Sequence, residues 1–367
     1  MGTLDQRVTV AGGQTVTRRE LLRVTLGTGA VLAGGGLLAA CGQQNGALGG
    51  PAALPPPETT TIRIRTPFAC DPPLWLAKEF LLEEGFTDVQ YVQPSGRPRD
   101  WATAATVDFG AVHPEELVAA IDGGAPLAVL AGLHSGCQEV WVGPGIASLR
   151  DLRGKRIAVF AKNTGDQFFN FFATTLAYVG IDPVKDVSFF EVGPAYAALL
   201  DAFLDGRSDA FLAASDGAAV LRRNPRTSST KILDQTADKP WSQYLCCMLA
   251  ANRDWTRRNP VATKRVTRAV MRAADATVKD RPRAAREGAT RPVQSVLPAG
   301  GVSLEQILND TIAMPSYDWR EFDPEETIRF FALRLADVKL ITSTAQQIIA
   351  QSTDLAYMRQ LRKELTP

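Results

Sequence analysis

The chain carries only two histidines, His113 and His134, and both fall in loops that follow short apolar strands. An imidazole titrates near neutral pH, so each could orient a polar ligand. Other candidates share those loops. Phe68 and Asp71 follow the first strand of the folded body, Ser135 adjoins His134, Ser215 follows a later strand, and Tyr244 lies on a connecting segment. Asn163-Thr164-Gly165 leads into a helix, whose first turn offers unpaired N–H groups and the positive end of the helix dipole. That turn can hold an anion, yet Asp166 beside it could occupy the same donors or attract an amino-bearing ligand. A plain cap by Asn163 or Thr164 is compatible with either role. Neither histidine has carboxylates or cysteines at metal-ligand spacing, so no metal centre is expected. Ser215 lacks a G-x-S-x-G elbow, which argues against a hydrolase. No cofactor is expected.

The elements that position these residues alternate. Thr61–Thr66 reads apolar-polar like a strand, Leu74–Glu84 is an amphipathic helix stopped by Gly85, and strands follow at 89–92 and 106–110. A helix over 114–122 and a strand over 127–131 complete a first unit. The pattern restarts after Cys137. Strands are expected at 139–142, 156–160, 187–192 and 210–213, with helices at 166–179 and 195–205 between them. Strands alternating with helices imply two lobes, each a mainly parallel sheet flanked by helices. The remainder reads as helical. Asn259-Pro260 and Asp323-Pro324-Glu325-Glu326 are helix starts, and these helices are expected to pack on the first lobe. The expected crossings between lobes lie near 132–138 and 237–244. Lobe 1 is then 61–134 plus 241–367, and lobe 2 is 135–240. Ligands of open sheets bind beyond the carboxyl ends of the strands, which places the loops named above in the cleft.

The first forty-one residues read as an address. Thr17-Arg18-Arg19-Glu20-Leu21-Leu22 is a twin-arginine motif, followed by an uncharged, glycine-containing run over 24–40. Leu38-Ala39-Ala40-Cys41 resembles a lipobox, in which the thiol takes a lipid and becomes the mature N-terminus. Residues 42–60, rich in Gly, Ala and Pro, read as a flexible tether. Formal net charge is +1 and there is no basic stripe, so nucleic acid is not an expected partner. The remaining cysteines, Cys70, Cys137, Cys246 and Cys247, lack a CxxC pattern; buried free thiols are expected, with disulfides as the alternative.

A family resemblance rests on specific segments. Leu149-Arg150-Asp151-Leu152-Arg153-Gly154-Lys155-Arg156-Ile157-Ala158-Val159 resembles the S-L-x-D-L-K-G-K-x-I-A-V segment of solute-binding proteins of nitrate, sulfonate and taurine ABC transporters. Tyr178–Pro183, Gly206–Phe211 and Asn259-Pro260 fit the same family, and the likeness runs from about Thr61 to Leu365. It implies a type II periplasmic-binding-protein-like fold closing on a small organic or anionic ligand. It further implies an ABC permease and ATPase as partners, a monomer tethered through Cys41, and a location in the periplasm or at the outer face of the cell membrane. Thiamine pyrimidine synthases form a related enzyme branch that uses lysine-bound pyridoxal phosphate, a histidine and a cysteine-rich iron motif. His113 and Cys246-Cys247 resemble parts of it, but no lysine lies between Lys78 and Lys155 and the run of cysteines is incomplete. The receptor reading is therefore taken, with ligand contacts expected from Phe68, Asp71, His113, His134, Ser135, Asn163, Thr164, Ser215 and Tyr244.

Overall fold

The computed structural model describes residues 7–9, 15–17, 55–223, 229–294 and 302–365. The chain divides into two compact units, 1–53 and 54–367. Of the first, two short strands are described, β1 (Arg7–Thr9) and β2 (Thr15–Thr17), paired antiparallel. The twin-arginine motif beyond Thr17, the apolar run, Cys41 and the tether as far as Leu54 lie outside the described residues.

The second unit holds two five-stranded sheets, each with its own hydrophobic core. Lobe 1 begins with β3 (Thr61–Arg65), α1 (Pro72–Glu83), β4 (Asp88–Val92) and α2 (Pro98–Thr103). It continues with β5 (Phe109–Val112), α3 (Pro114–Asp122) and β6 (Leu127–Ser135). Lobe 2 comprises β7 (Gln138–Val142), β8 (Arg156–Val159), α4 (Gln167–Tyr178), β9 (Ser188–Glu191), α5 (Tyr196–Leu204), β10 (Ala210–Ala214), α6 (Ser215–Arg223) and β11 (Thr230–Asp234). The chain then returns as β12 (Leu245–Asn252). The helices α7 (Arg253–Arg258), α8 (Pro260–Lys279), α9 (Arg281–Gly288), α10 (Leu304–Ala313), α11 (Pro324–Asp337), α12 (Ala345–Ser352) and α13 (Ala356–Glu364) follow.

Both sheets are mainly parallel, as expected, with four strands running one way and a single strand running against them. Strand order in lobe 1 is β4-β3-β5-β12-β6; β3 runs parallel to β4 and β5, whereas β12 is antiparallel to β5 and β6. The reason is the route of the chain. The returning β12 enters lobe 1 from the far lobe and slots between two strands that run the other way. Lobe 2 mirrors this in the order β11-β7-β10-β8-β9, with β7 antiparallel to both its neighbours. Neither β11 nor β12 is among the strands expected from the sequence. Leu245–Ala251 is a continuous apolar run, fully buried on both faces, so it lacks the alternation that marks a half-exposed strand. The helix α6 also begins at Ser215, directly after β10, where a loop was expected.

The crossings are short. β6 passes into β7 through Gly136 and Cys137. Gly136 has φ +46°, and a Cβ there would meet the Gln235 carbonyl oxygen of the return path at 2.9 Å, so glycine lets the two crossings touch. Residues 55–60, expected within the tether, are docked instead. The Glu58 carboxylate accepts from the Val261 and Ala262 N–H groups at 2.9 and 2.8 Å, capping α8 from outside, and Arg265 donates to the Pro55 carbonyl. The late helices do not serve lobe 1 alone. Phe330 of α11 stacks on Tyr244 and reaches Tyr178 of α4, in lobe 2.

Candidate functional site

A cavity of about 440 Å³ lies between the lobes of the second unit. Lobe 1 lines it with Arg65, Phe68, Cys70, Arg97, His113 and Glu116; lobe 2 contributes Phe160, Asp166, Phe168, Tyr196, Ser215 and Asp216. Each side follows from local chain geometry. Arg65 ends β3, and Gly110 on neighbouring β5 makes room for it: a Cβ at Gly110 would lie 2.7 Å from the Arg65 Cβ. The guanidinium then sits 4.3 Å above the Phe68 ring and donates from Nη1 to the Ala111 carbonyl at 3.2 Å. Its Nε has no hydrogen-bond partner among the described residues. His113 precedes α3, packs its ring 5.3 Å from Phe68, and likewise leaves Nδ1 unpartnered among the described residues.

Charge in the cavity is set by burial. Burial, reinforced by the cations Arg65 and His134, pulls His113 down to about 3, so it is a neutral imidazole at pH 7. Burial pushes Glu116 up to about 7; the Arg65 charge opposes this and the Asp166 charge adds to it. Glu116 can therefore accept or donate a hydrogen bond near neutral pH. The opposing wall is aromatic. Phe160 and Phe168 meet edge to face at 4.7 Å, and Tyr196 lies 5.6 Å from Phe168 with its hydroxyl accepting from the Ala214 N–H at 2.8 Å. A flat organic body fits such a wall, and the unpartnered donors and acceptors opposite would orient its polar edge.

The expected contact residues divide into four groups. Phe68, His113 and Ser215 line the cavity. Asp71, His134 and Ser135 lie beneath its floor. His134 is fully buried; Nε2 donates to Asp71 Oδ1 at 3.1 Å and Nδ1 faces the Ser135 carbonyl at 3.3 Å. Burial alone would pull His134 down, but hydrogen bonds with Asp71 and Cys70 outweigh it and push the ring up to about 10. Asp71 Oδ2 accepts from the Phe68 N–H, so this buried ion pair holds the loop that presents Phe68. Asn163 and Thr164 sit at the rim. Two donors of their turn are already used: the Gly165 N–H donates to Asn163 Oδ1 at 2.9 Å and the Phe169 N–H donates to Asp166 at 2.8 Å. Tyr244 is away from the cavity, stacked on Phe330 with centroids 4.3 Å apart.

Arg97 is one of several lining residues, with Arg65, Glu116 and Tyr196, that are not among the candidates read from the sequence. It reaches from lobe 1 across the cleft, donating to Asn163 Oδ1 at 2.9 Å and pairing with Asp166 at 3.7 Å. A Cβ at Gly165 would come within 2.6 Å of its Nη1, so that glycine admits the guanidinium. Asn170 donates to the Glu115 carbonyl at 3.2 Å, and Arg223 pairs with Asp310, giving further ties between the lobes.

Beneath the site, the four described cysteines are close together. Cys137 and Cys246 form a disulfide, and Cys70 and Cys247 are free and buried. This corrects the expectation of free thiols throughout. A separation of 109 residues gives no local cue to such a pairing.

Comparison with known proteins places this architecture. Residues 76–285, more than half of the chain, match the family model described as NMT1/THI5 like. No curated protein matches the chain. Among solved structures, the periplasmic nitrate-binding protein NrtA from Synechocystis PCC 6803 superposes with a TM-score of 0.67 at 17% identity, covering 84% of this chain and 90% of its own. The alkanesulfonate-binding protein SsuA from Xanthomonas axonopodis pv. citri, bound to MOPS, gives 0.61 at 18% identity, covering 83% and 100%. The periplasmic aliphatic sulphonate binding protein SsuA from Escherichia coli gives 0.59 at 16% identity, covering 79% and 92%. At these identities the likeness is one of fold, a two-lobed α/β periplasmic-binding-protein fold.

Proposed function

The chain belongs to the NMT1/THI5-like family, and from that premise we propose that it is the ligand-capturing receptor of an ABC-type importer. It takes a small organic or anionic molecule into the interlobe cavity and hands it to a membrane permease driven by an ATPase. The observation that carries this reading is the cavity itself. Two lobes with separate cores enclose it, an aromatic wall faces it, and buried polar atoms of Arg65 and His113 have no hydrogen-bond partner among the described residues. We place the ligand against Phe68, His113 and Ser215, and add Arg65, Glu116 and Tyr196.

Export by the twin-arginine route and lipidation at Cys41 complete the proposal, with a monomeric receptor held at the membrane surface by residues 42–54. No helix among the described residues is long and apolar enough to cross a membrane. Pyridoxal-phosphate chemistry does not fit the cavity, whose described lining contains no lysine. An iron motif does not fit either, because Cys246 of the adjacent pair is spent in a disulfide.

Titration calorimetry tests the placement once a ligand is identified by screening. One site per chain is expected, with His113→Ala and Ser215→Ala each weakening affinity about tenfold, a loss of about 1.4 kcal/mol. Unchanged affinity in both variants would put the ligand elsewhere.

A further inference from the structure

Cys70, Cys137, Cys246, Cys247, His113 and His134 are all buried and close together, and Cys70 and His113 also line the cavity. The side-chain atoms of Cys70, His134, Cys137 and Cys247 that could bind a metal lie within 4.8 Å of one another. So do those of His113, Cys137, Cys246 and Cys247. Two free thiols therefore stand within reach of one disulfide, and the Cys137 sulfur is close to both of them.

The free thiols differ. A buried thiol in apolar surroundings is ordinarily inert. Cys70 is hydrogen-bonded with Cys247 and with His134; the Cys247 bond, the largest influence, holds it below the usual thiol range despite burial. Burial pushes Cys247 well above that range. Cys70 is thus the nucleophile of the pair, and the His134 ring, held by Asp71, is the cation beside it.

We propose that Cys70 and the Cys137–Cys246 disulfide form a thiol–disulfide exchange centre, in which the cross-link moves between Cys246 and Cys70 while Cys137 stays as the pivot. The Cys70 sulfur attacks the Cys137 sulfur in line with the existing bond. The Cys70–Cys137 bond forms and the Cys137–Cys246 bond breaks. Cys246 leaves as a thiolate and takes up the proton that Cys70 released, so one disulfide and two thiols remain and no external oxidant or reductant is consumed. The position of the cross-link matters to the site. Cys137 lies in the first crossing between lobes, Cys246 in β12, and Cys70 in the cavity wall. Exchange replaces a tie between the crossing and the lobe 1 sheet with a tie between the crossing and the loop that presents Phe68. The centre goes beyond ligand capture and does not depend on which ligand is bound.

Disulfide mapping of the full chain tests this. Protein purified without reductant is unfolded in acid, alkylated with N-ethylmaleimide, digested and analysed by mass spectrometry. The wild type is expected to yield both Cys137–Cys246 and Cys70–Cys137 peptides, the latter above the background set by Cys70→Ser, which retains only the former. Cys246→Ser exposed to oxidised glutathione is expected to shift to Cys70–Cys137. Absence of the Cys70–Cys137 peptide from the wild type, where no substitution can disturb folding, overturns the proposal. So does protein isolated with four reduced cysteines around a stoichiometric metal ion.

Discussion

Glu115 sits one residue from the cavity-lining Glu116 on α3, with 1% of its surface exposed and Oε1 unpartnered among the described residues. Burial, the largest influence, pushes its carboxyl up to about 8. Its ordinary value is 4.5, so between these limits the folded chain holds a proton that the unfolded chain has lost. Its contribution to stability is complete below pH 4.5 and is lost as pH rises through about 8. Thermal melts from pH 5 to 9 should therefore fall for the wild type and fall less for Glu115→Gln, by an amount on the order of a few kcal/mol at the alkaline end. Parallel profiles would mean that Glu115 ionises freely. Phe68, His113 and Ser215 were legible because strand ends point at the cleft. Arg65 was not, since its polar position in an alternating strand reads as solvent-facing until Gly110 and Phe68 are seen beside it. Arg97 depends on Asn163, 66 residues away, and no local pattern encodes that pairing.

Helix α8 illustrates the elements. Its start at Asn259-Pro260 and its end at Lys279 follow from proline at the first helical position and from the apolar stripe, and both were legible. Its cap was not. The Asn259 side chain makes no cap hydrogen bond, and the Glu58 carboxylate supplies one from a segment that composition marks as linker. Burial opposes ionisation of Glu58, but hydrogen bonds from Ala262 and Val261 outweigh it and hold the carboxyl below its usual value. A depressed carboxyl contributes stability above its unfolded value of 4.5 and loses it as pH falls further. Glu58→Ala should cost about 1 kcal/mol at pH 7 by chemical denaturation, as loss of a helix cap does, and the cost should shrink on acidification. No change would show that water replaces the carboxylate without loss. β12 failed to register for the opposite reason: its burial on both faces erases periodicity, and only its place between β5 and β6 defines it.

At the scale of the whole molecule the two lobes were legible from the alternation of strands and helices, and the closed cleft was not, because closure depends on side chains far apart in sequence. Arg97 with Asn163 and Asp166, and Arg223 with Asp310, tie one lobe to the other. In the receptor role proposed above, the lobes would close around the ligand as packed bodies moving about a hinge. Arg97→Ala should therefore weaken ligand affinity by roughly tenfold, mostly through faster dissociation, and enlarge the radius of gyration measured by small-angle scattering without ligand. Affinity and size both unchanged would mean that the cleft is held shut by packing alone. The central claim, that this cavity captures one small molecule, meets its most direct test in a thermal-shift screen of the purified chain. The screen would span inorganic anions, sulfonates, aromatic acids and vitamin precursors. A ligand at a hundred times its Kd stabilises the folded state by about 2.7 kcal/mol. One chemical class is expected to raise Tm by several degrees in a saturable way, and Arg65→Met together with His113→Ala is expected to abolish the rise. A rise that survives both substitutions undiminished would contradict that claim.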